Sequence, residues 1–353
     1  MMTIGYIGNG KSTNRYHLPF VLQRKDTIRV KTIYCRNLSK QDWDRVEGVR
    51  YTDDLEELLN DADIQLICVC TPLQQHYRFA KMVLEHGKHC LLEKPFTNTV
   101  EQAEELFATA KEKGLLLQCY QNRRYDSDYL TVQKVIESGV LGDLLEVETN
   151  FDYYRPEVPL DYQRQELSGG FGSRAAFLYG HGCHTLDQVL SYFGEPEDVH
   201  YDVRRLLGKG GMNDYFDVDL YYGVLKVSVR SSYFRIKSRP SFAVYGKKGC
   251  FIKQTIDRQE EHLKLFYMPD HADFGLDLPE HYGTLAYYDE QGVYHEEKVP
   301  SVKGDYGRVY DGLYEALVNG REKEIRDEQT LCLMRLLEEG VRTLTGSSRE
   351  ARV

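Results

Sequence analysis

The sequence lacks any apolar run near the roughly 18 residues that a membrane-spanning helix needs, which argues against a helical membrane protein. It also lacks a basic excess, since 45 lysines and arginines stand against 55 aspartates and glutamates and the net charge is -10. A protein that binds nucleic acid needs a basic face for the phosphates, so this charge balance argues against that class. We interpret the acidity as a contribution to solubility.

The eight cysteines are scattered along the chain, and no pair of Cys-x-x-Cys clusters with metal-ligand spacing occurs. The sequence therefore predicts no metal site and reduced thiols, which are typical of a cytoplasmic protein. The opening residues lack the basic segment and the small-residue cleavage site of a secretory leader, which favours the same location.

Internal repeats, low-complexity tracts and long linkers are also absent from the 353 residues. A chain of this length exceeds one ordinary core and predicts two domains. We place the first domain at residues 1–121 and the second at residues 122–353, because the pattern of strands and helices changes there.

Strand and helix patterns alternate in the first domain. Residues 64–70 form a continuous apolar run, which is typical of a strand buried on both faces of a parallel sheet. Other strands are predicted at 3–7, 28–34, 89–92 and 115–119, and helices at 74–86 and from the capping residue Thr99 to Gly114. This order indicates an α/β fold with a doubly wound parallel sheet, a Rossmann domain.

Strand patterns dominate the second domain. A helix is predicted at 127–138, two more at 309–319 and 327–345, and strands at 146–151, 201–205, 217–222 and 224–231. Hairpins are predicted at 242–251 and 285–298. This pattern predicts an α+β domain with a large, open, mainly antiparallel sheet. Because an open sheet leaves one face uncovered, we expect a homodimer or a homotetramer.

Two glycines follow the first predicted strand directly. Gly8 permits a tight turn, and Gly10 lets the backbone approach a pyrophosphate, whose charge the N-terminus of the following helix stabilises. Glycines after a strand often mark only a turn, but at the start of a strand–helix series they predict a dinucleotide site. Thr13 stands where the usual third glycine would be. The predicted site consists of Gly8, Gly10, Lys11, Ser12 and Thr13.

The end of the second strand carries Arg36 and no acid. An NAD-selective site usually has an acid there for the ribose 2′-hydroxyl, whereas an arginine can hold a 2′-phosphate by charge-assisted hydrogen bonds. The sequence therefore predicts NADP as the preferred cofactor, with NAD as the alternative. The other interpretation of Arg36 is a solvated surface residue.

Three further motifs follow at or near strand ends, and a fourth lies later in the chain. They are Thr71-Pro72 with His76, Glu93-Lys94-Pro95, Gln121-Asn122-Arg123-Arg124, and Gly182-Cys183-His184-Thr185-Leu186-Asp187-Gln188. With these motifs the whole chain resembles the glucose-fructose oxidoreductase/inositol dehydrogenase/MocA family. The segments 122–130 and 153–157 are similar to its NADP-linked scyllo-inositol dehydrogenase branch.

The resemblance implies an NAD(P)-dependent dehydrogenase that transfers a hydride between nicotinamide and a hydroxyl-bearing carbon of a sugar or an inositol-like polyol. It implies Lys94 as the catalytic residue at the reacting oxygen and His184 as the general acid and base. The cofactor would also contact Thr71, Pro72, His76, Glu93, Lys94 and Asn122, and the substrate would contact Lys94, Arg123, Tyr154, His184 and Asp187.

These roles suit the chemistry of alcohol oxidation. Histidine titrates near neutral pH and can accept the hydroxyl proton, and a lysine at the oxygen favours the developing alkoxide. Simpler interpretations remain open. Lys94 could cap backbone carbonyls, His184 could be a core histidine, and Asp187 could complement a helix dipole.

The chain departs from the family at Gly180, since many members carry an aspartate four residues before the histidine. The departure concerns proton transfer and not the cofactor site. Three functions therefore remain open: a polyol or sugar dehydrogenase, an enzyme that uses NAD transiently for glycoside cleavage or dehydration, and a non-catalytic dinucleotide-binding sensor or regulator.

Overall fold

The computed structural model describes residues 1–39, 43–158, 177–207 and 212–346. These residues form two compact units. The first consists of Met1–Asn122, Gln259–Phe274 and Asp305–Met334, and the second of Arg123–Arg258, Gly275–Gly304 and the chain from residue 335 onward. After leaving the first unit, the chain therefore returns to it twice.

Most helices lie where the sequence pattern predicts them. In the described residues they are α1 (Leu18–Val21), α2 (Leu55–Leu59), α3 (Leu73–Glu85), α4 (Val100–Glu112), α5 (Ser127–Glu137), α6 (Cys183–Phe193), α7 (Gln259–Lys264), α8 (Arg308–Asn319) and α9 (Asp327–Gly346). Two π-helical turns (Ser12–His17, Leu178–Gly182) and two 3₁₀ turns (Asn122–Tyr125, Pro279–His281) complete the set.

The start of α4 lies where the capping pattern of the sequence predicts it. The Thr99 hydroxyl accepts a hydrogen bond from the Gln102 N–H (3.3 Å), as the capping pattern predicts. The Gln102 side chain reaches back one residue further than a standard capping box, because it accepts from the Asn98 N–H (3.2 Å). The Gln102 N–H, which has no partner within the first turn of the helix, is thereby satisfied.

The described part of the first unit contains a six-stranded, wholly parallel sheet. Its strands are β1 (Met2–Ile7), β2 (Ile28–Tyr34), β3 (Arg50–Thr52), β4 (Leu66–Val69), β5 (His89–Leu92) and β6 (Leu117–Cys119). They lie in the order β3-β2-β1-β4-β5-β6, which confirms the doubly wound fold. The order reverses direction from β1 to β4, and ligands of such sheets bind at the carboxyl ends of the strands at that point.

The described part of the second unit contains an eight-stranded, mainly antiparallel sheet, as predicted. Its strands are β7 (Leu144–Asn150), β8 (Asp198–Arg204), β9 (Tyr215–Tyr222), β10 (Leu225–Ser232), β11 (Phe242–Gly246), β12 (Gly249–Lys253), β13 (Gly283–Tyr288) and β14 (Tyr294–Val299). They lie in the order β14-β13-β12-β11-β7-β10-β9-β8, and the pair β7–β10 is parallel.

The two faces of this sheet differ in chemistry. Val227 and Val229 of β10 are fully buried. On the opposite face Arg230 pairs with Glu148 (2.9 Å) and with Asp217 (3.0 Å). Alternation along the strands thus separates an apolar face from a charged one. The homodimer or homotetramer stays a prediction.

None of the helices in the described part of the chain combines the length and the apolar character that a bilayer span requires. All eight cysteines lie in described segments and carry free thiols, and all except Cys250 are buried. The cytoplasmic location stays a prediction.

Candidate functional site

The turn after β1 is built around Gly8, whose φ is +114°. A Cβ atom here would lie 2.3 Å from the carbonyl oxygen of Cys70, so only glycine fits. The Gly8 N–H donates to the Tyr34 carbonyl (2.9 Å), and the Thr13 hydroxyl donates to the Gly8 carbonyl (2.7 Å). The turn is thereby fixed at the carboxyl ends of β1, β2 and β4.

Gly10 lies in this turn and is exposed, and among the residues that the structure describes no atom beyond its chain neighbours lies within 4 Å of the place that its Cβ would take. This open space leaves room for the close backbone approach that a pyrophosphate needs. The helix predicted behind the turn begins as the π-helical turn Ser12–His17 and continues as α1. The predicted residue Lys11 precedes it and is exposed.

The side chain of Thr71, which follows β4, is a second feature that suits a bound cofactor. Its hydroxyl oxygen is buried and, within the described segments, makes no hydrogen bond. Because buried hydroxyls are normally hydrogen-bonded, this oxygen fits a bound group better than an empty surface. With the open space at Gly10, the residues present therefore fit a dinucleotide. The neighbouring Pro72 is exposed and is the N-cap residue of α3.

His76 is buried in α3 and fastens two loops together. Its Nε2 atom lies 2.8 Å from the Thr71 carbonyl, and its Nδ1 atom lies 2.8 Å from the Pro95 carbonyl. Burial lowers the pKa of His76, although the hydrogen bonds to backbone carbonyls oppose this. The ring thus connects the Thr71 loop to the Glu-Lys-Pro turn, and direct contact of His76 with the cofactor stays a prediction.

Glu93 is buried at the carboxyl end of β5 and joins the two predicted motifs. The Ser12 hydroxyl donates to its Oε1 atom, and the Lys94 N–H donates to its Oε2 atom (2.9 Å). Burial would raise the pKa of Glu93, but its hydrogen bond with His17 and the charge and backbone N–H of Lys94 outweigh it and lower that pKa. An ionised Glu93 therefore holds Lys94 to the segment that follows the glycines.

His17 is a site residue that the sequence reasoning missed. Its Nε2 atom lies 3.0 Å from Glu93 Oε1, and its Nδ1 atom lies 2.5 Å from the Tyr310 hydroxyl. The side chain is 1% exposed. Tyr310 stands 293 positions later in α8, so no local pattern could have revealed the contact.

One atom each from His17, Cys70 and Glu93 could act as a metal ligand, and these atoms lie within 4.8 Å of one another. Burial raises the pKa of the Cys70 thiol, and the charge of Glu93 raises it further. A metal would need the thiolate, so this group suits hydrogen bonding better than metal binding.

In the second unit, His184 occupies the first turn of α6 and is buried. One turn further, Asp187 accepts two hydrogen bonds from Arg124, from Nε to Oδ2 and from Nη2 to Oδ1, both at 2.7 Å. This bidentate pair is buried on both sides. Each carboxylate oxygen retains a second acceptor position, so contact of Asp187 with substrate stays a prediction.

Arg123 is held beside the same helix. Its carbonyl accepts from the Gln188 side chain (2.7 Å), its Nη1 atom donates to Asp126 (3.2 Å), and its guanidinium lies 4.9 Å from the centre of the Phe151 ring. Asn122, where the first segment of the first unit ends, is also buried. The predicted contacts of Arg123 with substrate and of Asn122 with cofactor stay predictions.

An aromatic cluster surrounds His181, which lies in the π-helical turn before α6. The Tyr153 hydroxyl lies 3.3 Å from its Nδ1 atom, and the Tyr233 hydroxyl lies 3.3 Å from its Nε2 atom. Tyr154, the predicted substrate contact, is 56% exposed and forms a backbone bridge with Phe234. Because neighbouring side chains in an extended chain point to opposite sides, Tyr153 contacts His181 and the adjacent Tyr154 points away from it.

Gly180 lies in the same π-helical turn. Within the described residues, no atom beyond its chain neighbours and the turn's own backbone lies within 4 Å of the place that its Cβ would take, and its φ is not positive. The backbone there would therefore accept the aspartate that many family members carry. What this chain lacks is the carboxylate and not the room for it.

Two family models match the chain. Residues 2–121 match the Gfo/Idh/MocA model described as an oxidoreductase family with an NAD-binding Rossmann fold. Residues 133–348 match the C-terminal alpha/beta domain of the same family.

Individual relatives agree with these matches. The uncharacterized oxidoreductase YhhX of Escherichia coli (strain K12) is 45% identical over 96% of each chain. The scyllo-inositol 2-dehydrogenase (NADP(+)) IolW of Bacillus subtilis (strain 168) is 33% identical over 99% of this chain and 94% of its own. The crystal structure of a probable oxidoreductase yhhX aligns with a TM-score of 0.88 at 43% identity, over 97% of both chains. Since the matches extend over both the glycine turn and the His184 helix, the chain belongs to the Gfo/Idh/MocA family of oxidoreductases.

Proposed function

We propose that the protein is an NADP-linked dehydrogenase or reductase acting on a hydroxyl-bearing carbon of a sugar or polyol. The contact between Ser12 and Glu93 carries the proposal, because it fastens the Glu-Lys-Pro turn, and with it Lys94, to the proposed dinucleotide turn. The nicotinamide, when bound, supplies the hydride chemistry.

Two side chains are proposed to handle the proton. The Lys94 ammonium binds the reacting oxygen and favours the negative charge that develops when the hydroxyl loses its proton. His184 accepts that proton in oxidation and returns it in reduction. The two residues belong to different units, and each role can be tested by itself.

The substrate class rests on one relative and on the chemistry of the second unit. IolW is named for scyllo-inositol and NADP. In this chain the residues near the His184 helix include Arg123 and the hydroxyls of Tyr153 and Tyr233, which suit a polyhydroxy compound.

The direct test is to incubate the protein with NADP and a panel of cyclitols and sugars while following the absorbance of reduced nicotinamide. A rise with at least one cyclic polyol supports the proposal. Disappearance of a glycoside without any net change in absorbance would instead favour transient use of the cofactor. The heat-denatured protein serves as the control.

The preference for NADP is proposed from Arg36. The Tyr34 carbonyl accepts from Gly8, and Arg36 follows two residues later. Its side chain is exposed and forms no ion pair within the described segments. A guanidinium at this place is therefore available to the 2′-phosphate.

We expect Arg36→Ala to weaken NADPH binding by about 10- to 100-fold, because charge-assisted hydrogen bonds are worth about 1.5–3 kcal/mol. NADH binding should not change. Calorimetry would measure both, with the fluorescence of Trp43, the one tryptophan, as a second signal. Arg29→Ala, an exposed arginine in β2, is the matched control. Tight NADH binding by the wild type would contradict the assignment.

Gly180 favours one alternative, a dinucleotide-dependent sensor without turnover. To separate the two functions, we expect Gly180→Asp to fold normally and to raise kcat by up to about tenfold. An aspartate four residues before His184 would stabilise the protonated imidazole, and one pKa unit corresponds to a factor of ten.

Gly180→Asn, which has the same shape without the charge, is the control and should show no increase. The measurement is steady-state turnover with melting temperature. If wild type and Gly180→Asp both bind NADPH and neither turns over any polyol, the sensor becomes the better explanation.

A further inference from the structure

A buried chain of hydrogen bonds runs behind the Glu-Lys-Pro turn. We propose that Tyr6, Tyr310 and His17 position Glu93, and through it Lys94 and Ser12, without touching substrate or cofactor. This inference rests on the proposed role of Lys94, and it makes Tyr310 and His17 positioning residues for turnover.

The chain has three links. The Tyr6 and Tyr310 hydroxyls are 2.9 Å apart, the Tyr310 hydroxyl is 2.5 Å from His17 Nδ1, and His17 Nε2 is 3.0 Å from Glu93 Oε1. Tyr6 and Tyr310 are fully buried, and His17 and Glu93 nearly so. No link can exchange its partner for water without opening the core, so the geometry of one link constrains the next.

We assign the protons of this chain starting from Glu93. Glu93 is ionised and only accepts, so the His17 proton lies on Nε2 and points to it. In this assignment Nδ1 accepts, and the Tyr310 hydroxyl donates to it. The Tyr6 hydroxyl in turn donates to Tyr310. Burial raises the pKa of both phenols well above the ordinary value, which keeps these donors protonated.

The imidazole is also held in place by stacking. The rings of His17 and Tyr120 are 3.8 Å apart and 25° from parallel. The Tyr120 hydroxyl donates to the Tyr16 carbonyl (2.5 Å), which fixes the stacked ring. The His17 ring therefore has little freedom to rotate, and what remains adjustable is its tautomer. The ionised Glu93, which only accepts, sets that tautomer, and the Tyr310 hydroxyl complements it by donating to Nδ1.

The consequence concerns the other side of Glu93. Its two oxygens accept from Ser12 and from the Lys94 N–H. If the His17 proton moved to Nδ1, Nε2 would face the carboxylate without a donor, and Glu93 would lose the contact that orients it. Glu93 would then no longer hold Lys94 and Ser12 in a fixed relative position, although both side chains would be chemically unchanged.

Tyr310→Phe is the first test, because it removes one hydroxyl and keeps the ring. We expect kcat to fall about five- to tenfold, which corresponds to one buried hydrogen bond, while KM and the NADPH dissociation constant stay within about twofold. Tyr306→Phe is the matched control. Tyr306 is fully buried in the same unit, packs against Phe20 and Leu263, and lies outside the chain.

Rescue by a conservative variant provides a second test. In His17→Gln the side-chain amide keeps a donor near the position of Nε2, whereas His17→Leu removes it. We expect the glutamine variant to retain most of kcat and the leucine variant to lose at least as much as Tyr310→Phe. Equal kcat in the two His17 variants would count against a donor role.

A spectroscopic test does not depend on turnover. Nitrogen NMR of histidine-labelled protein, with His17 assigned by its loss in His17→Gln, should show the proton on Nε2 in the wild type. The Nδ1 signal should shift in Tyr310→Phe and not in Tyr306→Phe. If the wild type turns over no polyol but this shift occurs, the proposed function fails and the positioning chain stands. A proton on Nδ1 in the wild type, or unchanged kcat in Tyr310→Phe, overturns the chain.

Discussion

Lys94→Ala is expected to reduce kcat by about a thousandfold and to leave NADPH binding nearly as tight as in the wild type. The side chain is assigned to the reacting oxygen, where a cation acts mainly on the transition state, and such groups contribute about a hundred- to a thousandfold. The Lys94 backbone N–H to Glu93 survives the substitution, so the turn should keep its shape. Single-turnover kinetics and calorimetry would measure the two effects separately.

Two further variants sharpen this result. Lys113→Ala removes an exposed lysine after α4 and should change neither quantity. Lys94→Arg keeps the charge but replaces a compact ammonium by a planar guanidinium, so only partial activity is expected. Normal turnover in Lys94→Ala would remove Lys94 from the mechanism, and loss of NADPH binding would show that its role is structural.

Gly10→Ala and Gly8→Ala should have large but different effects. The Gly10 Cβ position is open, so Gly10→Ala should fold with an unchanged melting temperature. The new methyl group would occupy space that the pyrophosphate needs, and we expect NADPH to bind about a hundredfold more weakly. In Gly8→Ala the new Cβ would meet the Cys70 carbonyl in a backbone conformation with φ of +114°. This variant should lose NADPH binding and about 2–4 kcal/mol of stability.

Melting temperatures measure the stability of both variants, and NADPH titrations measure their affinity for the cofactor. Gly48→Ala is a useful control, because Gly48 also has a positive φ but no neighbours around its Cβ position. The free energy of unfolding of Gly48→Ala should fall only slightly. Unchanged NADPH affinity in Gly10→Ala would show that the cofactor does not approach this turn.

The sheets were predictable because their signals are local. β2 and β5 begin and end at the predicted residues, since continuous or alternating apolar patterns report burial directly. The three-residue β3 was not predicted, because so short a run carries no periodicity. The glycine turn was predictable for a related reason: a tight turn needs glycine whatever lies around it.

The contacts behind the site were not predictable in this way. Tyr6 and Tyr310 are separated by 304 positions, and His181 meets Tyr153 and Tyr233 from three separate segments. Side chains brought together by tertiary packing leave no pattern along the sequence. Both π-helical turns were also unforeseen: the first contains Ser12 and His17, and the second directly precedes the His184 helix.

The double return of the chain to the first unit affects how this protein is made and inherited. During synthesis the whole parallel sheet leaves the ribosome before α8, so His17 is made long before the Tyr310 hydroxyl that lies against its Nδ1 atom. The nucleotide-binding half is therefore not a self-contained cassette. A gene fusion or recombination event that moved only the first 122 residues would leave part of its buried hydrogen bonding behind, so the N-terminal sheet and helix α8 have to evolve as one piece.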